Sequence, residues 1–197
     1  MFLANWETMD TCADPGEILR KTIKNLAQAL IDYDSGSTAS LVYIPEIGDE
    51  VYTAVIGDSP IIILKGHDYW YGPDHNVRSN HAEAEAVRKR GGYIHNGYAM
   101  GRGVFGLQMG RALGDAELVD ILSTEPEVNK VSIGQGAWIL VCTDGLIDPG
   151  HNGVDAKQAI IDRCNSNVHG EFTAEDLVQY AVGVPTGDNV SCILARF

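Results

Sequence analysis

Positive charge is scarce in this chain. Fourteen Lys and Arg stand against 27 Asp and Glu, a formal net charge of −13 over 197 residues. That balance argues against a nucleic-acid partner, because neutralising phosphates needs basic surface, and against docking on an anionic membrane. A chain this acidic that handles phosphate needs metal ions to invert the local field. Cysteine is sparse as well. Cys12, Cys142, Cys164 and Cys192 lie scattered, without metal-ligand spacing, so a disulfide framework is not expected and a reduced, cytoplasmic setting is. Cys142 and Cys192 fall in apolar stretches and read as small core residues. Long apolar runs are missing: none reaches the ~20 residues of a membrane helix. The opening MFLANWETMD has neither the basic region nor the apolar length of a secretory signal. There is no internal repeat and no linker. What remains is 45% hydrophobic residues, enough for a single domain spanning 1–197 with its own core, residues 1–13 forming an N-terminal extension.

The periodicities sort into a few helices and more strands. Asp14 can cap a helix, Pro15 suits its first turn, and Glu17 stands where a capping box takes its acid. Leu19, Ile23, Leu26 and Leu30, joined by Ile18, Ala27 and Ile31, then form an apolar stripe over 14–32. STASLVYI (37–44) reads as a strand, and EVYTAVI (50–56) with PIIILK (60–65) as a hairpin around a Gly-Asp-Ser turn. Residues 66–82 look irregular, with the rings Tyr69-Trp70-Tyr71. A short helix is expected over 82–92, stopped by glycines, and short strands and turns over 93–108. PEVNKVSI and AWILVCT read as strands, 154–164 as a helix, and Thr173 with Asp176 as the cap of another over 174–182. NVSCILARF closes the chain as a strand. The helices do not alternate with strands as βαβ units, so the expected fold class is α+β, a two-layer antiparallel β-sandwich flanked by helices.

Three carboxylates share one local design: Gly57-Asp58, Asp144-Gly145 and Gly187-Asp188, each an Asp beside a Gly at or near the end of an apolar strand. Glycine permits a sharp turn and close backbone approach. Carboxylates gathered at neighbouring strand ends suit hard divalent cations. Taken singly, each pair reads first as an ordinary turn. An Asp driven out of the buried run Ala137–Cys142 needs either solvent or a cation beside it.

The wider sequence resembles the metal-dependent protein phosphatases of type 2C, the PPM family. SGSTAS (35–40), VIGDSP (55–60, with Pro60 where the family has Arg), GPDHNVRSNHAEAEAVRKRGGYI (72–94), RGVFGLQMGRALGD (102–115, with Gly110 for Ser), TEPEV (124–128), WILVCTDGLID (138–148, with Ile147 for Trp) and GDNVSCIL (187–194) follow the order of the family's motifs. The resemblance implies a phosphatase-like domain over 1–197, with 66–108 as a variable, flap-like region. It implies a protein serine/threonine phosphatase whose substrates are phosphorylated proteins, and Mg²⁺ or Mn²⁺ as cofactor. Asp144 and Asp188 would hold a metal of the central pair, and Asp58 would join Asp144 at a further position. A metal-activated water would attack the phosphorus of phosphoserine or phosphothreonine.

The family's N-terminal strand with its phosphate-binding Arg, and the Asp-Gly-His-Gly-Gly segment that follows, have no counterpart among these 197 residues. The sequence therefore reads as an N-terminally truncated form of the fold, and an open sheet edge able to self-associate is expected. The lack of the bridging Asp and the His keeps a second reading in play: a catalytically impaired, phosphatase-like regulatory or protein-binding module. DPGHNG (148–153) echoes the absent segment only superficially. Arg111 is a candidate to touch phosphate, or a structural residue that pairs with Asp115 or caps the following loop. His75 and His81 are candidate general acids, or ordinary loop residues. HDYWYGPDH (67–75) reads as a loop anchored by partly buried rings, or as a substrate-facing patch. Arg88-Lys89-Arg90 reads as a solvated helix end.

Overall fold

A computed structural model describes residues 14–66, 68–103, 105–147, 156–166, 173–184 and 187–197. The expected extension 1–13, Cys12 and the DPGHNG stretch lie outside them. The described residues divide into two compact units: one made of those within 14–46, 50–58 and 73–131, the other of those within 47–49, 59–72 and 132–197.

The first unit opens with helix α1, Pro15–Leu30, capped by Asp14, whose carboxylate accepts from the Glu17 N–H. Glu17 turns instead to Arg20. Short strand β1 (Gly36–Ser37) pairs with β9 (Leu113–Gly114); β2 (Ala39–Tyr43), β3 (Glu50–Ile56) and β10 (Glu127–Ser132) form a sheet in the order β10-β3-β2. Leu19, Ile23 and Ala27 bury against Ala54, Ile56 and Leu113, with Leu30, Leu41 and Tyr52 at the margin. The helix thus packs on one sheet as expected; of the stripe, Ile18, Leu19, Ile23 and Ala27 are buried, while Leu26 and Leu30 are half-buried. At 3.6 residues per turn, Ala27 lies directly one turn beyond Ile23, and its small side chain brings helix and sheet close. Helix α2 (His81–Lys89) and the sheet β6 (Tyr93–His95), β7 (Tyr98–Met100), β8 (Gly106–Leu107) share a core of Val77, Ala84, Val87, Ala99, Leu118 and Ile121.

The second unit holds β4 (Ile61–Lys65), β5 (Asp68–Tyr71), β11 (Trp138–Cys142) and β12 (Cys192–Arg196), in the order β12-β11-β4-β5. Helices α3 (Ala156–Ser166) and α4 (Ala174–Gly183) bury Ile160, Ile161, Cys164, Leu177 and Ala181 against Ile62, Leu64, Leu140 and Cys142. Thr173 caps α4 with the expected reciprocal box to Asp176. The registers of β1–β9, β2–β3, β4–β5, β4–β11, β6–β7, β7–β8 and β11–β12 are all antiparallel, the α+β pattern the sequence suggested.

Three readings need correction. β3 and β4 are not a hairpin: β3 lies between β2 and β10, and β4 between β11 and β5, so neither has an edge left for the other. The sign was the unbroken run Ile61-Ile62-Ile63-Leu64, buried on both faces; a run without alternation belongs to a central strand. Residues 68–71 are not a loop but β5, paired with β4, and the Tyr71 ring takes the Lys157 ammonium over its face at 4.4 Å. Arg90 is not part of a solvated helix end: it donates to the carbonyls of Ile121 and Gly110 at 2.7 and 3.0 Å, tying the end of α2 to two loops.

Candidate functional site

Asp144 leaves β11 at the start of a single 3-10 turn, Asp144–Leu146, whose closing bond runs from the Ile147 N–H to the Asp144 carbonyl, 2.8 Å. Thr143 fastens this exit to the strand opposite. Its N–H donates to the Ser191 carbonyl and its hydroxyl accepts from the Ser191 N–H, both at 3.0 Å. Asp188 stands at the start of that opposite segment, where its Oδ1 accepts from the Asn189 N–H at 2.7 Å. Gly145, next to Asp144 in the chain, is where the two turns meet. A Cβ built there would fall 2.3 Å from the Asn189 carbonyl oxygen and 3.2 Å from Asp188 Cβ. The two turns therefore abut, and only a residue without a side chain allows it. β11 and β12 extend this close approach through their register, Cys142 opposite Cys192.

The thiols here are core groups. Burial first, then the neighbouring Cys192 and the Asp144 charge, push the Cys142 thiol far above its ordinary range; Cys164 is pushed up to about 11, chiefly by burial. Neither is a thiolate available to metal or substrate.

Asp58 follows Gly57, which has φ +92° and carries Thr38 Cγ2 within 2.3 Å of where a Cβ would stand. Its Oδ2 accepts from Asn76 Nδ2 at 2.9 Å. The neighbouring segment holds this turn in register: the Gly57 N–H donates to His75 Nδ1 at 3.1 Å, and the His75 N–H to the Gly57 carbonyl at 3.2 Å. His75 is fully buried, against the reading of it as a loop residue. Desolvation by that burial, then the Arg111 charge, lowers its pKa below 6.5. With Nδ1 accepting, the ring is neutral and its proton sits on Nε2, 3.6 Å from a Glu127 oxygen. A buried ring that is an acceptor on one side and faces a carboxylate on the other is a structural hub. His81, by contrast, is exposed at the start of α2.

Arg111 is structural in this setting, but its partner is not Asp115. Its Nε donates to Glu83 Oε1 at 3.0 Å and its Nη1 to the Glu125 carbonyl at 3.0 Å, with Glu127 at 3.9 Å. Glu83 is itself buried, a residue that composition alone did not single out. The signal lay in Gly110, whose missing side chain leaves room for the Glu83 carboxylate: a Cβ there would meet Glu83 Oε2 at 2.9 Å.

The donor chemistry of Asp144 and Asp188 fits a hard divalent cation. Mg²⁺ and Mn²⁺ are commonly held by one or two carboxylates, with water and phosphate oxygens filling the other positions. Asp58 belongs to the other compact unit. Among the described residues, no group of three or more His, Cys, Asp and Glu gathers as a metal cluster.

Comparison with known proteins then places the chain. A family model described as "Protein phosphatase 2C" matches residues 3–190. "Probable protein phosphatase 2C 41" of Oryza sativa subsp. japonica is 27% identical over 190 residues, covering 93% of this chain and 64% of that protein. "Probable protein phosphatase 2C 76" of Arabidopsis thaliana is 31% identical over 171 residues, 83% of this chain and 37% of its own length. Among solved structures, a C. elegans sex determining protein superposes with TM-score 0.78 at 24% identity, over 99% of this chain and 50% of that one. The serine-threonine phosphatase 2C from Toxoplasma gondii does so with TM-score 0.73 at 21% identity, over 92% and 67%. The chain thus spans less than two thirds of those two plant relatives. The ordered motifs, the antiparallel α+β architecture and a match running nearly end to end agree: the chain belongs to the protein phosphatase 2C family, and its fold is that family's fold.

Proposed function

We propose that this chain is a Mg²⁺- or Mn²⁺-dependent protein serine/threonine phosphatase domain acting on phosphorylated proteins. The observation that carries the proposal is the pair of abutting turns that sets Asp144 beside Asp188 across Gly145, within a chain of this family. Two carboxylates brought together at strand ends are costly without a cation. A divalent ion held there supplies Lewis acidity, lowering the pKa of a coordinated water and offsetting phosphate charge. The protein's own part is geometric. Gly145 keeps the two turns close, and Thr143 locks both to the β11–β12 ladder. Asp58, held by Asn76, is proposed as a further, weaker carboxylate ligand.

A second reading has its own support. No three-residue ligand group gathers among the described residues, and no Asp-Gly-His-Gly-Gly segment occurs in the sequence. On that reading the chain is a catalytically impaired, phosphatase-like module that binds or regulates a partner. Calorimetric titration of Mn²⁺ into the chain and into Asp144→Asn and Asp188→Asn tests the metal site that the first reading requires. Saturable binding that either substitution weakens at least about tenfold is expected. Equal and negligible heats for all three proteins would leave only the second reading.

A further inference from the structure

Residues 75–77 run between two backbones. On one side the Gly57 N–H donates to His75 Nδ1 at 3.1 Å and the His75 N–H to the Gly57 carbonyl at 3.2 Å. On the other, the Gly110 N–H donates to the His75 carbonyl at 2.8 Å and the Val77 N–H to the Gln108 carbonyl at 2.7 Å, with Asn76 opposite Met109 in an antiparallel bridge. The backbone of Asn76 is bonded as well. Its N–H donates to Asp74 Oδ1 at 2.9 Å, and its carbonyl accepts from the Asn80 N–H at 2.9 Å. Asn80 in turn caps α2. Asn76 is therefore held in place before its side chain makes any contact.

The side-chain amide of Asn76 has one orientation that satisfies its neighbours. Its Oδ1 accepts from the Arg78 N–H, two residues on, at 3.0 Å. A backbone N–H only donates, so the atom that faces it is the oxygen, and the amide nitrogen faces the other way. There Nδ2 donates to Asp58 Oδ2 at 2.9 Å. Both ends of one planar group are thus fixed, and through it the rotation of the Asp58 carboxylate about its Cβ–Cγ bond. Asp58 is only 8% exposed, so the direction of this carboxylate is set by protein groups more than by solvent. The Asn76 donor is also neutral. A Lys or Arg in its place would hold the carboxylate by cancelling its charge, whereas an amide holds it and leaves that charge to attract a cation.

We propose that Asn76 is a positioning residue for divalent-cation binding, setting the carboxylate of Asp58 that the cation meets. The inference rests on the reading of Asp58 as a ligand. Groups that hydrogen-bond a ligating carboxylate fix its direction, and their loss commonly lowers metal affinity ten- to a hundredfold. Asn76 acts through Asp58 alone, while the neighbouring His75 holds the Gly57 backbone.

The test uses the whole chain, isotope-labelled for NMR and titrated with Mg²⁺. The backbone amide of Gly57 and the side-chain amide of Asn76 should shift together and saturate at one Mg²⁺ concentration. Asp58→Asn should abolish both shifts. Asn76→Ser keeps a hydroxyl that can accept from the Arg78 N–H, as serine does in such turns, but it is too short to reach Asp58. This variant should raise the Mg²⁺ midpoint read at Gly57 by about tenfold or more, with the signals of α1 unmoved. If Gly57 does not respond to Mg²⁺, or responds equally in Asp58→Asn, then Asp58 is not a ligand and both that reading and this inference fall. If Asp58→Asn abolishes the response but Asn76→Ser keeps the wild-type midpoint, the inference alone falls. Should Asn76→Ser disturb the α1 signals and so fail to fold, the side-chain amide of Asn76 in the wild type decides. A shift with the Gly57 midpoint supports the positioning role, and no shift while Gly57 saturates overturns it.

Discussion

At the scale of single residues, His75 shows how burial and charge act together. Its imidazole is sealed from water, accepts from the Gly57 N–H, and is held neutral by desolvation and by Arg111. A histidine whose folded pKa lies below its unfolded value binds its proton more readily when unfolded. Its contribution to stability is therefore complete above about pH 6.5 and is lost as pH falls from there through the folded pKa. Urea unfolding at about pH 7.5 and about pH 5.5 should show the loss. His75→Asn should flatten it, because the Asn Oδ1 can still accept from Gly57 but cannot titrate. The difference in slope is bounded by about 1.4 kcal/mol per pH unit, the limit for one proton. Identical slopes in the two proteins would show that His75 does not carry the effect. Little of this was legible in the residue letters. A His next to Asp74 in a Gly-Pro-Asp-His string looks like a turn, and only the Gly57 and Gly110 backbones closing on it, the latter through a 2.8 Å bond to its carbonyl, reveal that it is core. The same holds for Arg111: its partner Glu83 lies 28 positions back, a separation no local pattern reports.

At the scale of elements, the abutting turns after β11 and before β12 make the sharpest demand on sequence. Gly145 is the spacer between them, and adding one methyl drives the Asn189 carbonyl and the Asp188 Cβ outward. Gly145→Ala should therefore leave helix content by circular dichroism close to wild type while weakening Mn²⁺ binding about ten- to a hundredfold, as displaced supporting groups do at metal sites. Unchanged affinity would mean that the two carboxylates do not act as a pair. The elements themselves were largely visible in advance. An apolar, β-branched run before a turn marks EVYTAVI, a cap and stripe mark α1, and Thr173 with Asp176 marks α4, because each is decided by neighbours a few residues apart. Pairing was not. The strands at 50–56 and 60–65 are legible but their pairing is not, since a Gly-Asp-Ser turn is local information while the neighbours of β4, strands β5 and β11, are set by which faces need burial. The three Asp-Gly pairs were legible as residues; that two of them meet across Gly145 is a property of the β11–β12 register.

At the scale of the molecule, what decides turnover is how many groups converge on one phosphate. The described residues supply two carboxylates in abutting turns, and Arg111 is committed to Glu83 and to the Glu125 carbonyl rather than to a ligand. Resemblance to the family implies a further Asp, a His and an Arg from an Asp-Gly-His-Gly-Gly segment and the strand before it, none of which occurs among these 197 residues. A nucleophile that is generated but not aligned forfeits much of its advantage; loss of positioning alone can cost on the order of a hundredfold. Residues 1–197 should therefore bind Mn²⁺ yet hydrolyse p-nitrophenyl phosphate slowly. Joining an N-terminal segment that carries the Arg and the Asp-Gly-His-Gly-Gly element should raise turnover by at least about a hundredfold, and Asp144→Asn in the extended protein should abolish the gain. The two proteins are to be compared at equal Mn²⁺ concentrations, with metal binding measured alongside, so that lost affinity and lost alignment are told apart. Fast, Mn²⁺-dependent turnover by residues 1–197 unaided would sink this argument, and would mean that side chains present in the chain already complete the site.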